Sequence, residues 1–208
     1  MGMLYVTEDD FACLSGCEVG EAEGEVTVNL LPGERIGLWV EAEQLGGLKS
    51  LHPNDLYWLH LEAASDPQLV HVSHLTGLRE IVVSAFDFPD AVTDIGIKRL
   101  KSLKSLEKLT LHDIGISDDA LNTVALLKSL RSIVFSKVKL TDESLSKLLA
   151  LPYLTELSFF DVPISHAGIR SLGDLRSLKK LNLWKTNVSS GFRVNLEAQF
   201  PNCTISGL

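Results

Sequence analysis

Three cysteines and a few histidines are the residues best equipped for covalent or metal chemistry, and their spacing limits what they can do. Cys13 and Cys17 lie four apart, one helical turn, where two thiolates could grip one metal ion. A tetrahedral site needs four ligands, and no second close pair of Cys or His follows. His71 and His74 share a helical face with no third ligand nearby, which reads as a solvated helix surface. Gly16, Gly20 and Gly24 recur every four residues among acids, the pattern of a flexible loop rather than a ligand cradle. Gly47-Leu48-Lys49-Ser50 lacks both the Gly-Lys adjacency and the earlier glycine of a phosphate loop, and the chain has no Gly-x-Ser-x-Gly elbow and no Gly-x-Gly-x-x-Gly. These residues predict no catalytic group, no metal site and no cofactor.

Composition narrows the remaining classes. Cys13, Cys17 and Cys203 are odd in number and widely separated, which argues against a disulfide framework and predicts a reducing, cytoplasmic setting. Residues 1–10 have neither a basic start nor an apolar run, and no stretch reaches the roughly 18 apolar residues that span a bilayer, so neither a signal peptide nor an anchor is predicted. The formal charge is −8, and residues 1–50 supply all of it, with ten acids against two bases. That balance repels a polyphosphate backbone and predicts a protein rather than a nucleic acid or membrane as partner.

The chain repeats itself. Leu-x-x-Leu-x-Leu, with Ile, Val or Phe substituting, starts at Leu106, Leu130, Leu154 and Leu178, each 24 residues after the last; looser copies start at Leu56 and Leu78. A second column, Thr93, Ser117, Thr141, Ser165 and Ser189, keeps the same period. A hydroxyl there can accept from a free amide at a helix start, so these read as N-caps worth about 1 kcal/mol each. Apolar residues at helical spacing follow, such as Leu121, Val124 and Leu127. The two-residue alternation before each cap predicts a strand instead. One unit is strand, turn, helix, turn, and no unit can bury its apolar face without a neighbour, so Leu109, Ile133, Leu157 and Leu181 should stack in one core.

These motifs resemble the leucine-rich-repeat family over residues 51–205. Ile116-Ser117-Asp118-Asp119-Ala120-Leu121 is similar to the helix-start signature of its cysteine-containing, F-box-associated and bacterial T-x-I-T-D-x-G-L branches. The resemblance implies an α/β solenoid, a right-handed horseshoe with a parallel concave sheet and convex helices, serving as a protein-recognition surface. One position departs from the family pattern: Asn, Cys or Thr is usual three residues after the motif, but here stand Ile114, Val138 and Val162, with only Thr186 conforming. Apolar packing or water must replace the usual hydrogen-bonded ladder. Phe200-Pro201-Asn202-Cys203-Thr204-Ile205 resembles the closing segment of such arrays.

Residues 1–50 read as an acidic N-terminal cap with room for one degenerate repeat, and residues 51–208 as the array with its C-terminal cap. Val26–Leu30 and Ile36–Val40 alternate like strands around a turn at 31–34. Alternate residues of each repeat strand should face out on the concave sheet. Trp58 and Lys180 fall in one such column, Asn182 in the next, and His112, Phe160 and Trp184 in a third. With strands about 4.8 Å apart, Phe160 and Trp184 are expected to stack. They are either the core of a binding patch flanked by His112, Lys180, Asn182 and Trp58, or packing against the C-terminal cap. The Leu78 unit carries an insertion with Phe86, Phe88 and Pro89, an aromatic loop that either grips a partner or plugs the fold locally. The bases on the helical side, such as Lys98, Arg99 and Lys101, read as a solvated face, or as a docking side for the acidic cap of another copy in salt-sensitive self-association. The predicted protein is a monomeric, non-catalytic scaffold for a macromolecular partner. The alternative is a substrate-recognition subunit or effector in a ubiquitin-ligase-type assembly, which the lack of a helical F-box in residues 1–50 disfavours.

Overall fold

The last two apolar residues of each motif stand two apart, the spacing that sends both side chains to one face of a strand. In the computed structural model, which describes residues 2–7, 17–22, 32, 34–85 and 88–208, every motif forms such a strand. The ten strands are β1 (Gly2–Thr7), β2 (Cys17–Ala22), β3 (Arg35–Glu41), β4 (Trp58–Glu62), β5 (Glu80–Ser84), β6 (Lys108–His112), β7 (Ser132–Ser136), β8 (Glu156–Phe160), β9 (Lys180–Trp184) and β10 (Thr204–Ser206). Among the described residues they form one sheet in the order β10-β9-β8-β7-β6-β5-β4-β3-β1-β2, parallel from β3 to β10.

Register makes the core. Leu38, Leu59, Ile81, Leu109, Ile133, Leu157, Leu181 and Ile205 pair strand to strand along the sheet. All are buried, as is the second row that includes Phe135 and Phe159, whose rings stack with centroids 5.7 Å apart. Each such side chain contributes roughly 1.5–3 kcal/mol by leaving water. The array begins before residue 51, since β3 lies parallel to β4 with Leu38 opposite Leu59 and Val40 opposite Leu61. Ahead of β3, β1 runs antiparallel to both β3 and β2. Gly20 falls within β2, so the expected glycine loop does not hold there. Cys13, Gly16, Gly24 and the expected strand at Val26–Leu30 lie outside the described residues.

The return segments are shorter and tighter than the predicted helices. They comprise α1 (Asp94–Ile97), α2 (Ala120–Val124), α3 (His166–Ser171), α4 (Arg193–Gln199) and 3-10 segments such as Lys98–Ser102 and Asp142–Ala150. Each unit must hand the chain to a strand only about 4.8 Å away, and a 3-10 turn is slimmer than an α-helix of roughly 10–12 Å diameter. The helical side is still the wider one, so the sheet lies on the inside of the curve.

The hydroxyl column does more than cap. The Thr93 and Ser165 side chains accept from Ile95 and Ala167 N–H, and Ser117 from Asp119 N–H at 3.3 Å, whereas Thr141 and Ser189 cap no helix. All five point back to the preceding unit. Thr93 donates its N–H and hydroxyl to Asp66, Ser117 to Asp94, Thr141 to Asp118 and Ser165 to Asp142. At the last rung the Ser189 N–H donates to His166 Nε2 at 3.1 Å. This ladder, four carboxylates and a closing imidazole, stitches the helical side as the strands stitch the other.

Ile114, Val138 and Val162 are buried, so apolar packing replaces the family's polar ladder. Thr186 instead donates to Leu183 O and accepts from Val188 N–H. At the C-terminal end Leu196, Phe200 and Ile205 cover the last repeat. No helix among the described residues is long and apolar enough to cross a membrane.

Candidate binding face

The pleat that buries the motif leucines turns the residues between them onto the open face. Column by column from β3 to β9 these are Trp39, His60, Val82, Thr110, Val134, Ser158 and Asn182, and then Glu41, Glu62, Ser84, His112, Ser136, Phe160 and Trp184. Trp184 is 49% exposed, and Phe160 beside it is half-buried. Their rings do not stack as expected; they tilt at 56° with centroids 6.5 Å apart. The physical reason is that the electron-rich ring faces repel, and the Lys185 ammonium, 4.6 Å from the Trp184 ring centre, supplies a positive partner.

Lys180 is exposed and paired with Glu156 at 2.7 Å. Asn182 lies between Lys180 and Trp184 in sequence, and its Oδ1 is buried without a hydrogen-bond partner against Gly207. Gly207 has φ +82, and a Cβ there would meet Asn182 Oδ1 at 2.5 Å and the Trp184 backbone N at 2.7 Å. His112 is half-buried. Burial lowers its pKa, with the Lys137 ammonium adding to the effect and Asp113 opposing it.

Trp58 does not belong to this surface. It is 1% exposed, and its indole lies where a Cβ on Gly37 would be, 1.8 Å from Cε2. The alternation places Trp58 on the open face, but the glycine opposite it on β3 lets the ring fold down and be covered. Phe88 is 70% exposed at the insertion, and Phe86 lies outside the described residues. His71 is half-buried, and His74 Nε2 meets Leu51 O at 3.1 Å. Among the described residues no three His, Cys, Asp or Glu are grouped to hold a metal. Lys98, Arg99 and Lys101 border an open hollow beside exposed Ile95 on the helical side.

A second aromatic group on the sheet escaped sequence reasoning. Trp39 stacks on His60 with centroids 4.1 Å apart and donates its Nε1–H to Glu62 at 2.8 Å. Burial lowers the His60 pKa, against the pull of Glu62 and with a small push from His112. The signal was present in the alternation of Ile36-Gly-Leu38-Trp-Val40, which puts Trp39 beside His60 once β3 is taken as a repeat strand.

Solved structures share this architecture. Internalin C2 of Listeria monocytogenes superposes with a TM-score of 0.58 at 21% identity, over 77% of this chain and 66% of that one. This protein has the leucine-rich-repeat fold. A leucine-rich-repeat protein of Leptospira interrogans superposes with a TM-score of 0.51 at 17% identity, over 73% of this chain and 37% of that one. The chain thus spans less than two thirds of either neighbour's length. No protein-family model and no curated protein matches the sequence. Within a leucine-rich-repeat solenoid the concave strands are the ordered, closely spaced surface, and there Trp184, Phe160 and Trp39 stand among small or paired polar residues.

Proposed function

We propose that this leucine-rich-repeat chain is a non-catalytic scaffold that binds a protein partner on its concave sheet, anchored at Phe160 and Trp184. The observation that carries the reading is Trp184, a tryptophan half exposed on a strand of the sheet, beside Phe160, rather than at a loop tip. Interface energy concentrates in Trp, Tyr and Arg anchors ringed by polar neighbours, and His112, Lys180 and Asn182 supply such a ring. The cysteine usage supports a cytoplasmic, reducing setting. Affinity capture from native lysate with the wild-type chain and with Phe160→Ala/Trp184→Ala tests the reading. The double variant should fold and lose the captured protein, and retention of the same partner would refute the anchor.

A further inference from the structure

The concave face is charged at its two ends and neutral between them. At the β3–β4 end stand Glu41, exposed and without an ion pair among the described residues, and Glu62, which accepts from the Trp39 indole and faces His60. Arg35, also on β3, lies over the Tyr57 ring, 4.2 Å from its centre, near the opposite end of the strand. In the middle, charges cancel in pairs: Lys108 with Glu80 at 2.9 Å and Lys137 with Asp113 at 3.3 Å. His60 and His112 face the same stretch, and burial favours the uncharged form of both. At the β8–β9 end the Glu156 carboxylate is taken by Lys180. That leaves Asp161 and Lys139, both exposed on the rim, and Lys185, whose ammonium rests on Trp184 and makes no ion pair among the described residues.

The floor between the ends is low. Ser84 and Ser136 occupy the same column as Glu62, His112, Phe160 and Trp184, yet are 1% and 8% exposed, so short buried hydroxyls alternate with the larger side chains. From β4 to β9 are five strand steps, about 24 Å at roughly 4.8 Å each. An extended segment covers that distance in about seven residues at roughly 3.3 Å each.

We propose that the occupant of this trough is an extended peptide segment laid across the strands, with an apolar side chain and adjoining carboxylate over Trp184 and Lys185, and a Lys or Arg about seven residues away over Glu41 and Glu62. The inference rests on the concave face being the binding surface. An apolar group covering the Trp184 ring takes the place Lys185 now holds, and a carboxylate beside it meets the ammonium so released. A cation at the far end meets two carboxylates. A segment of the opposite polarity sets acid on acid at one end and base on base at the other, so its direction on the sheet is fixed by charge.

Selection of a randomised 12-residue displayed peptide library on the folded chain tests this. Enriched peptides should pair an aromatic or aliphatic residue with a neighbouring Asp or Glu and carry Lys or Arg six to eight positions away. Their binding should fall at least about tenfold with Trp184→Ala and weaken as salt rises. Selection on Lys185→Glu should replace the acid with a base, and selection on Glu41→Lys should remove the preference for a distant cation; both substitutions are on exposed side chains and leave the core intact. Trp184-dependent peptides lacking the charge separation, or an unchanged motif on both charge variants, overturn the bipolar trough while leaving the binding face standing. Peptides that bind independently of Trp184 overturn both.

Discussion

Replacing Asp118 with Ala removes one rung of the ladder that joins neighbouring units on the helical side. Its Oδ1 accepts the Thr141 N–H at 2.8 Å and its Oδ2 accepts the Thr141 hydroxyl at 2.5 Å. Burial alone would raise the carboxyl pKa, but the hydrogen bonds from Thr141, a further one from Ser144 and the nearby Lys147 charge together hold it below the ordinary carboxylate value. Buried charge-assisted bonds contribute about 1.5–3 kcal/mol each. This carboxylate is partly solvated, so screening cuts the pair of bonds to a total of about 2 kcal/mol, or about 5 °C in Tm at this chain length. Urea unfolding of wild type, Asp118→Ala, Thr141→Val and the double variant measures the loss and the coupling, expected near 1 kcal/mol. Because the folded pKa is depressed, the contribution is complete above the unfolded value of about 4 and fades as pH falls through the folded value. The gap between wild type and Asp118→Ala should therefore close in acid. A loss under about 0.5 kcal/mol at neutral pH, or no coupling to Thr141, would show that the ladder is decorative.

Other consequences are as direct. Leu157→Ala, fully buried between Ile133 and Leu181, should cost about 2–5 kcal/mol in chemical denaturation, and a loss below about 1 kcal/mol would contradict its place in the stack. Gly37→Ala drives a methyl into the Trp58 ring, so stability should drop by about 1–3 kcal/mol with a red-shifted tryptophan emission; unchanged emission would mean that the ring is not covered there. Burial pushes the Cys203 thiol up to about 11, so iodoacetamide should modify Cys203 slowly at neutral pH and faster as the solution approaches that value, with peptide mass mapping as the readout. Rapid alkylation at pH 7 would contradict the half-buried thiol and its raised pKa.

The difference between Trp58 and Trp184 marks how far alternation can be read. Both occupy outward positions on their strands, and period two assigns them the same face. Which of them meets solvent depends on the neighbouring strand: Gly37 leaves room for the Trp58 ring to be covered, whereas beyond Trp184 the paired residues of β10 end at Ser206, opposite Asn182. The hydroxyl column shows the same limit. Its period was plain, and an N-cap was a sound local reading, but the acceptors Asp66, Asp94, Asp118 and Asp142 come from the unit before. A bond between residues 23 to 27 apart has no local signature until the repeat has been stacked.

The sequence alone determined the repeat, its strand, the direction of every motif leucine and the absence of recognised catalytic motifs, because burial with period two and recurrence every 24 residues are properties of spacing. Only the tertiary structure decided that β3 belongs to the array, that the helices are short and partly 3-10, that carboxylates bridge the units, and that Trp58 is covered while Trp184 stays exposed. Those features arise between neighbouring units, where side chains far apart in the chain compete for the same space and the same hydrogen-bond donors.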